Sequence, residues 1–196
     1  MFRILALIIV LIVIGGCDGS HEIHKCPTLQ GEASSLLERY KTSKWAMQQP
    51  QWECGASFYL DQDSGRPIRS TRSKDIYVVI TPEPPHPWYV DYQSNTVPVS
   101  ETPRIRRYKW SKSAHASLSD ELIVLQGADG STVYVEQAMR YPDGVNSFHA
   151  EYYRKGMEVS YVYSARTSLG QEREDADHLL VNEYVVKLIK SIEAGD

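Results

Sequence analysis

The sequence predicts an α+β fold, in which an antiparallel β-sheet arranged as a meander packs against an N-terminal helix and a long C-terminal helix. The strongest indication is a row of strand-like segments in the second half of the chain, separated by short turns that contain glycine. Helical spacing of apolar residues near the C-terminus, and again around residue 40, indicates the two helices. The 196 residues and their 42% hydrophobic content suit one domain that buries its own core.

The first helix is predicted over residues 32–47, where apolar side chains recur at helical spacing. Glu32 lies at its start and Lys44 near its end, which suits the helix dipole, and Pro50 follows. The apolar residues of this segment are Ala33, Leu36, Leu37, Tyr40 and Met47.

Short strands are predicted in the first half, over Ala56–Leu60 and Asp75–Thr81, which are rich in β-branched and aromatic residues. The polar segment Asp61–Lys74 between them is predicted to be a loop. Pro82–Pro87 holds four prolines, a composition that cannot lie inside a sheet and that favours polyproline II or a rigid turn. Further strands are predicted over Trp88–Tyr92 and Arg104–Lys112.

The second half predicts a four-stranded antiparallel meander, because each pair of apolar or alternating segments is joined by a short turn. The predicted strands are Leu122–Gln126, Ser131–Met139, Ser147–Arg154 and Met157–Ala165. The predicted turns are Gly127–Gly130, Pro142–Gly144 and Lys155–Gly156.

A long helix is predicted from Leu169 to Ile192, with Ser168 and Gln171 as a capping box at its start. Its predicted apolar stripe consists of Ala176, Leu179, Leu180, Tyr184, Leu188 and Ile192. Because such a stripe needs an apolar surface to cover, we expect this helix to pack on one face of the meander.

The N-terminus has the pattern of a secretory signal. Arg3 precedes the uninterrupted apolar run Ile4–Ile14, which is shorter than the roughly 20 residues of a membrane span. The stretch Ile14–Cys17 resembles the lipobox of bacterial lipoproteins. The resemblance implies cleavage before Cys17, a diacylglyceryl group on its thiol, and acylation of its amine with a chain such as palmitate. The alternative is an uncleaved membrane anchor with an incidental cysteine.

The predicted organisation is a signal peptide over residues 1–16, a lipidated tether over residues 17–30, and a single globular domain over residues 31–196. The resemblance places the protein in the bacterial cell envelope, bound to a membrane by its lipid and facing the periplasm. Asp18 follows the lipidated cysteine, as in enteric-type lipoproteins that stay in the inner membrane, and therefore favours that membrane.

With Cys17 lipidated, two cysteines remain, Cys26 and Cys54, and an exported chain with this pair is predicted to form one disulfide. His21 and His24 lie close to Cys26, which raises zinc binding as an alternative. A zinc site needs three or four ligands, usually in two separated pairs, and no second cluster is evident. We therefore predict no metal and no cofactor.

The sequence lacks the usual catalytic motifs. It contains neither a Gly-x-Ser-x-Gly elbow nor a glycine-rich phosphate loop, and its histidines are not spaced as ligand pairs. Asp61 and Asp63 form the nearest pair of carboxylates, but they adjoin a Gly-Arg-Pro segment in which acidic residues commonly shape a turn. The prediction is a protein that is not an enzyme.

Two features favour binding instead. The proline-rich segment leads to the aromatic residues Trp88, Tyr89 and Tyr92, and a second segment carries the basic residues Arg104, Arg106 and Arg107. Aromatic residues on a rigid loop lose little entropy on association and are favoured at binding hot spots. The alternatives are aromatic residues that fill the core and basic residues that protect an edge strand. An exported lipoprotein seldom meets nucleic acid, so the expected partners are a membrane and a protein.

The leading hypothesis is therefore a membrane-anchored, periplasmic protein-binding module. In size, anchor and order of elements the chain is similar to small envelope lipoproteins, which include immunity proteins that neutralise toxins or lytic enzymes. The alternatives are a structural or assembly lipoprotein of an envelope machine such as a secretion system, and a small envelope hydrolase.

Overall fold

The structure is a computed structural model that describes residues 29–47, 54–69, 75–82, 92–110, 121–139, 142 and 144–195. Over these residues the chain forms a nine-stranded antiparallel sheet with a short helix before it and a long helix after it, which confirms the predicted α+β class. The helices are α1 (Gly31–Thr42), α2 (Tyr92–Asn95) and α3 (Gln171–Ala194), with a 3-10 turn at Thr167–Leu169. The strands are β1 (Ala56–Asp61), β2 (Pro67–Ile68), β3 (Asp75–Pro82), β4 (Thr96–Glu101), β5 (Ile105–Trp110), β6 (Glu121–Gln126), β7 (Thr132–Met139), β8 (Val145–Arg154) and β9 (Met157–Arg166).

The sheet has the strand order β2-β1-β3-β9-β8-β7-β6-β5-β4. Strands β6 to β9 are neighbours in sequence order, so they form the predicted meander, and β4 and β5 extend it. The turn between β8 and β9 has positive φ at both Lys155 (53°) and Gly156 (74°), as a tight two-residue hairpin turn requires. Strand β9 also pairs with β3, which joins the meander to the strands of the first half.

The first helix is shorter than predicted. It ends at Thr42 instead of residue 47, because the chain leaves the helical conformation at Ser43, where ψ is 139°. The backbone N–H of Met47 then donates a hydrogen bond to the carbonyl of Ser57 in β1. The prediction was wrong at this end because Met47 is held by a strand and not by the preceding helical turn.

The predicted loop Asp61–Lys74 contains the short strand β2. The carboxylate of Asp61 accepts hydrogen bonds from the backbone N–H of Ser64 at 2.8 Å and from its hydroxyl at 2.7 Å. This side-chain-stabilised turn returns the chain onto Tyr59 and Leu60, where β2 pairs. The two residues of β2 are too few to give a strand pattern in the sequence.

The predicted strand Trp88–Tyr92 is wrong at its described end, since Tyr92 begins the short helix α2, while residues 88–91 lie outside the described residues. The edge strand β4, in contrast, was not predicted. It is exposed along most of its length and contains Pro98, close to a break in its register with β5. Proline is tolerated on an edge strand, where its missing N–H removes no bond inside the sheet.

The helices α1 and α3 lie on one face of the sheet, which we call the covered face, and we call the opposite face the open face. Alternating strand residues belong to the two faces. The covered face forms the core together with helix residues such as Leu36, Tyr40, Val185 and Ile189. Its strand residues include Phe58, Leu60, Ile76, Val78, Val133, Phe148, Tyr161 and Tyr163. The open face includes Tyr59, Tyr77, Tyr134, Glu136, His149, Glu151, Glu158, Ser160 and Val162.

Helix α3 is rotated relative to the predicted stripe. Leu188 and Ile192 are buried as predicted, but Leu180 is 42% exposed and Val181 and Val185 lie in the core. The predicted capping box is also wrong, since the helix follows Gly170 without a side-chain cap. In the described ranges, no helix combines the length and the apolar character needed to cross a membrane.

Candidate functional site

Several predicted site residues lie outside the described residues: Cys17, Cys26, Trp88 and Tyr89. Cys54 lies in the turn that precedes β1. The lipid attachment at Cys17 and the disulfide between Cys26 and Cys54 therefore stay predictions, and so does the division into signal, tether and domain.

Tyr92, the described member of the predicted aromatic set, packs on the open face. Its ring makes edge contacts with Tyr108 in β5, at 5.4 Å between centroids, and with Tyr134 in β7, at 5.5 Å. Leu122, which is paired with Tyr108, is fully buried on the same face. Near β5 and β6, the side chains of the open face are therefore buried. The part of the open face that solvent can reach lies towards β8, β9 and β3.

The three predicted basic residues do not form one surface. Arg106 is exposed and pairs with Glu101 at 2.8 Å, and Arg104 lies 3.4 Å from Glu183. Arg107 belongs to the covered face and is only 5% exposed. Successive residues of a strand point to opposite faces, so a binding role stays a prediction for Arg104 and Arg106, whereas the guanidinium of Arg107 lies inside the protein.

Arg107 lies at the start of a buried polar network. It contacts Glu174 at 2.8 Å, Asp175 at 2.5 Å and Glu121 at 3.2 Å. Burial lowers the pKa of Arg107, but the hydrogen bonds to the two α3 carboxylates outweigh this effect and raise it. His178 continues the network, with Nε2 3.4 Å from Glu174 and Nδ1 2.6 Å from the hydroxyl of Tyr163. Arg107, Glu174 and His178 are buried, so the network fixes α3 on the sheet, and Glu121 is its exposed member.

A second ionic group holds the far end of α3. Arg154 at the end of β8 contacts Glu193 at 2.9 Å and Asp129 at 3.0 Å, and Glu193 also accepts a hydrogen bond from the hydroxyl of Tyr40 in α1. The hydrogen bond from Arg154 lowers the pKa of Glu193, although partial burial opposes it. These contacts join α1, α3 and two strand turns.

The accessible part of the open face centres on His149 in β8. Its Nε2 lies 2.8 Å from the hydroxyl of Ser160 in β9 and 3.3 Å from Glu151, and its Nδ1 lies 3.9 Å from Glu136 in β7. The register places Glu136 opposite His149 and Glu151 opposite Ser160, so the pairing of three strands builds this group. We call these four residues the His149 cluster.

The His149 cluster favours a charged imidazole. Burial lowers the pKa of His149, but the attraction of the nearby carboxylates of Glu136, Glu151 and Glu158 raises it above its ordinary value. Tyr153 adds hydrogen bonds from its hydroxyl to Glu151 at 3.5 Å and to Glu158 at 3.4 Å. The cluster is therefore a half-buried, acid-rich group whose carboxylates favour the protonated form of the histidine.

Ser160, His149 and Glu136 are arranged in the order of a serine–histidine–acid triad. A working triad has further chemical requirements. A general base must accept the serine proton, whereas a charged imidazole donates to the hydroxyl. An oxyanion hole is commonly built from backbone N–H groups that point at the substrate, and Ser160 lies within a strand whose residues pair on both sides. In the described part of the chain, no helix N-terminus lies behind Ser160 to supply them. Among the described residues, Ser160 thus has the order of a triad without backbone donors placed to form an oxyanion hole.

Apolar and aromatic side chains border the His149 cluster. Val162 lies between Tyr77 and His149 in the register and is 36% exposed. Beyond it, Tyr77 packs against Tyr59, with ring centroids 4.9 Å apart. The accessible open face thus combines an exposed aliphatic residue, aromatic rings and a charged centre, and aromatic residues are enriched at protein-binding surfaces.

Sequence reasoning missed this site because its members lie on three strands. A usable signal was present: His149, Glu151 and Tyr153 alternate with the buried residues Phe148 and Ala150. Period-two alternation assigns the polar set to one face, but only the strand register brings Glu136 and Ser160 to it.

The described residues contain no group of three or more histidine, cysteine, aspartate or glutamate side chains arranged to hold a metal ion. No protein-family model matches the chain, and no curated protein matches it at a significant level. Among solved structures, the chain is similar to an immunity protein of the Stenotrophomonas maltophilia type IV secretion system. The TM-score is 0.44 and the identity 10%, over 70% of this chain and 83% of that chain, a likeness too low to carry an argument about function.

Proposed function

We propose that this protein is a lipid-anchored protein of the bacterial envelope that binds one partner protein through the accessible part of its open face. We further propose an immunity-type role, in which this binding neutralises a toxin or a lytic enzyme. The observation that carries the proposal is the surface formed by Val162, Tyr77 and the His149 cluster, which lies on the face opposite α1 and α3.

The two faces of the sheet have different roles, and this difference supports the proposal. The covered face contains the core and the ionic groups that hold α3, so substitutions there act on folding. On the open face, exposed Val162 and half-exposed His149 contribute little to the core, and their burial by a partner would remove apolar area from water. The acid-rich character of the cluster favours a partner with basic residues.

The proposed anchor comes from the lipobox-like sequence at Cys17. Two or more acyl chains would hold the domain stably at a membrane, and Cys26 and Cys54 would join the tether to the start of β1. Intact-mass analysis of natively expressed protein should show the loss of residues 1–16 and the gain of acyl mass, without a free thiol. An unprocessed chain in the cytosol would contradict the anchor.

Partner binding can be tested with a matched pair of variants in the full, lipidated chain. Val162→Lys places a charge on the open face, whereas Val97→Lys places the same charge on the exposed edge strand β4. After cross-linking in cells, we expect the wild type and Val97→Lys to capture the same stoichiometric protein, and Val162→Lys to capture at least about tenfold less. Equal capture by the two variants would contradict the proposed surface.

The immunity role has its own readout. Cells that lack the protein should lose viability when the captured partner is produced in the envelope, and wild type or Val97→Lys should restore viability. Val162→Lys should not restore it. If the partner is harmless in cells that lack the protein, the immunity role is wrong, and an assembly role in an envelope machine becomes the better explanation.

The order Ser160, His149 and Glu136 is the one specific observation that favours a second candidate, an envelope hydrolase. A fluorophosphonate probe, which reacts with activated serines, separates the two functions. We expect no labelling of the wild type above the level of Ser160→Ala. Labelling that requires both Ser160 and His149 would establish the hydrolase.

A further inference from the structure

A cavity of about 410 Å³ lies beside the end of β9, away from the His149 cluster. It lies between the β1–β2 turn, the last residues of β9 and the first half of α3. The pairing of β9 with β3 ends at Val162, whereas its pairing with β8 continues to Arg166. In the parts of the chain that the structure describes, the last four residues of β9 are therefore paired with a strand on one side only.

A side chain stands in for the missing strand at Ser164. The amide of Gln62 donates a hydrogen bond to the carbonyl of Ser164 at 2.5 Å and accepts one from its N–H at 3.5 Å. These are the two bonds that a neighbouring antiparallel strand would make. Backbone groups of residues two apart point to the same side, so Arg166 presents its N–H and carbonyl to the same edge as Ser164.

Apolar side chains form one wall of this cavity. Leu169 is 57% exposed and Leu180 is 42% exposed, and both line the cavity together with the buried residues Val181 and Ala165. Exposed apolar side chains grouped in one concave place commonly mark an interaction site. An apolar side chain inserted between the two leucines would remove them from water.

The charges at the rim favour an acidic residue near β9. Arg173 forms an ion pair with Asp177 at 3.4 Å, whereas Arg166 lines the cavity without an ion pair to any carboxylate among the side chains that the structure describes. Asp63, the other charge at the rim, belongs to the β1–β2 turn. A carboxylate placed next to Arg166 would thus form a new ion pair at the free end of the strand.

From these contacts we infer that the cavity is a docking site for an extended segment of the partner protein, with an apolar side chain followed or preceded by an acidic one. The segment adds a short strand to the free edge of β9 and displaces the amide of Gln62 from Ser164. Its apolar side chain enters between Leu169 and Leu180, and its carboxylate pairs with Arg166. Strand addition to an open edge is a common mode of peptide recognition, in which backbone bonds give affinity and side-chain pockets give specificity.

The inference rests on the proposed function only in that the occupant is a protein segment. It can be tested with three capped pentapeptides, Thr-Glu-Leu-Glu-Thr, Thr-Lys-Leu-Lys-Thr and Thr-Glu-Gly-Glu-Thr, added to the isotope-labelled, lipidated full chain in detergent micelles. For the first peptide we expect amide shifts at Ser164, Arg166, Leu169 and Leu180 and a millimolar dissociation constant. We expect binding at least about tenfold weaker for the other two, because each lacks one of the recognised groups.

A charge reversal provides the decisive control. In Arg166→Glu, the lysine-containing peptide should bind better than the glutamate-containing one, an exchange of preference that misfolding cannot produce. Gln62→Ala should leave the site intact and tighten binding by about twofold or more, because the competing amide is removed. Equal binding of the three peptides, the absence of shifts at these amides, or an unchanged preference in Arg166→Glu overturns the inference. Failure of the partner test at Val162 would leave these peptide measurements unaffected, so the two proposals fail separately.

Discussion

The two faces of the sheet use the same strands for different purposes. On β1, Phe58 points to the covered face and is fully buried, whereas its neighbour Tyr59 points to the open face and packs on Tyr77. On β5, Arg107 lies buried among carboxylates, whereas Arg106 is exposed beside Glu101. Successive residues of a strand point to opposite faces. A residue that stabilises the core and a residue that is available for recognition can therefore be neighbours in the sequence.

The charges of the two faces differ in the same way. On the covered face, Arg107 and Arg154 each contact two or more carboxylates and join α3 to the sheet. On the open face, His149 lies among Glu136 and Glu151, 27% exposed and without a helix above it in the described ranges. Ionic contacts therefore fix the helix on one face, and leave a half-exposed acid-rich group on the other.

The largest expected effect compares Phe58→Ala with Tyr59→Ala. Phe58→Ala should lower the free energy of unfolding by about 4 kcal/mol, because it leaves a cavity in the core. Tyr59→Ala should cost less, about 2 kcal/mol, because it removes an aromatic pair worth about 1 kcal/mol together with the partly buried area of the ring. Urea unfolding followed by circular dichroism measures both, and equal losses would contradict the distinction between the faces.

The next comparison uses the two consecutive arginines. Arg107→Ala should cost about 3 kcal/mol, because it leaves Glu174 and Asp175 buried without their cation. Adding Glu174→Gln should recover part of this loss, since it removes one of the unpaired charges. Arg106→Ala should leave the urea midpoint almost unchanged, because its ion pair is exposed to solvent. If Arg106→Ala shifted the urea midpoint as much as Arg107→Ala does, β5 would be oriented differently.

A smaller effect is expected at the end of α3. Glu193→Gln should cost about 1–2 kcal/mol at neutral pH, because it weakens the charged hydrogen bonds from Arg154 and Tyr40. The pKa of Glu193 is lowered in the folded state. Its contribution is therefore present above the ordinary carboxyl pKa of about 4.3 and is lost as the pH falls through the folded-state value. The difference between wild type and variant should shrink towards pH 2, and a constant difference would be evidence against this assignment.

The smallest effect is expected at His149, with the opposite pH dependence. The pKa of His149 is raised in the folded state, so its stabilising contribution is complete below the ordinary histidine pKa of about 6.5 and is lost as the pH rises through the folded-state value. Compared with His149→Asn, the wild type should be more stable by about 1 kcal/mol or less at pH 6. This advantage should shrink as the pH rises further above that ordinary value. An advantage that grows with pH would show that the imidazole is neutral in the folded state.

Much of the fold could be predicted because its signals are local. The glycine-containing turns and the alternating segments from residue 122 onwards predicted the meander in the correct order. Strands β2 and β4 escaped prediction, since β2 has two residues and β4 is an exposed edge with a proline. The stripe of α3 was partly wrong because Glu174, His178 and Asn182 are buried, which no hydrophobic pattern indicates.

The candidate site was less predictable than the fold. The sequence drew attention to Tyr92 and to Arg104, Arg106 and Arg107, but the structure distributes them between an aromatic contact, two exposed ion pairs and a buried network. The residues that form the accessible open face lie on strands as distant in sequence as β3, with Tyr77, and β9, with Val162. A single sequence does not state which residues face each other.

By itself, the sequence determined the α+β class, the meander and the terminal helix, because turn chemistry and apolar periodicity act between residues that are close along the chain. The tertiary structure alone decided which face of α3 is buried and which side chains meet around His149. Burial of Glu174, His178 and Asn182 depends on Arg107, Tyr163 and Tyr161, which are distant in sequence and compensate the loss of hydration. Non-local partners thus set the register and rotation that local preferences leave open.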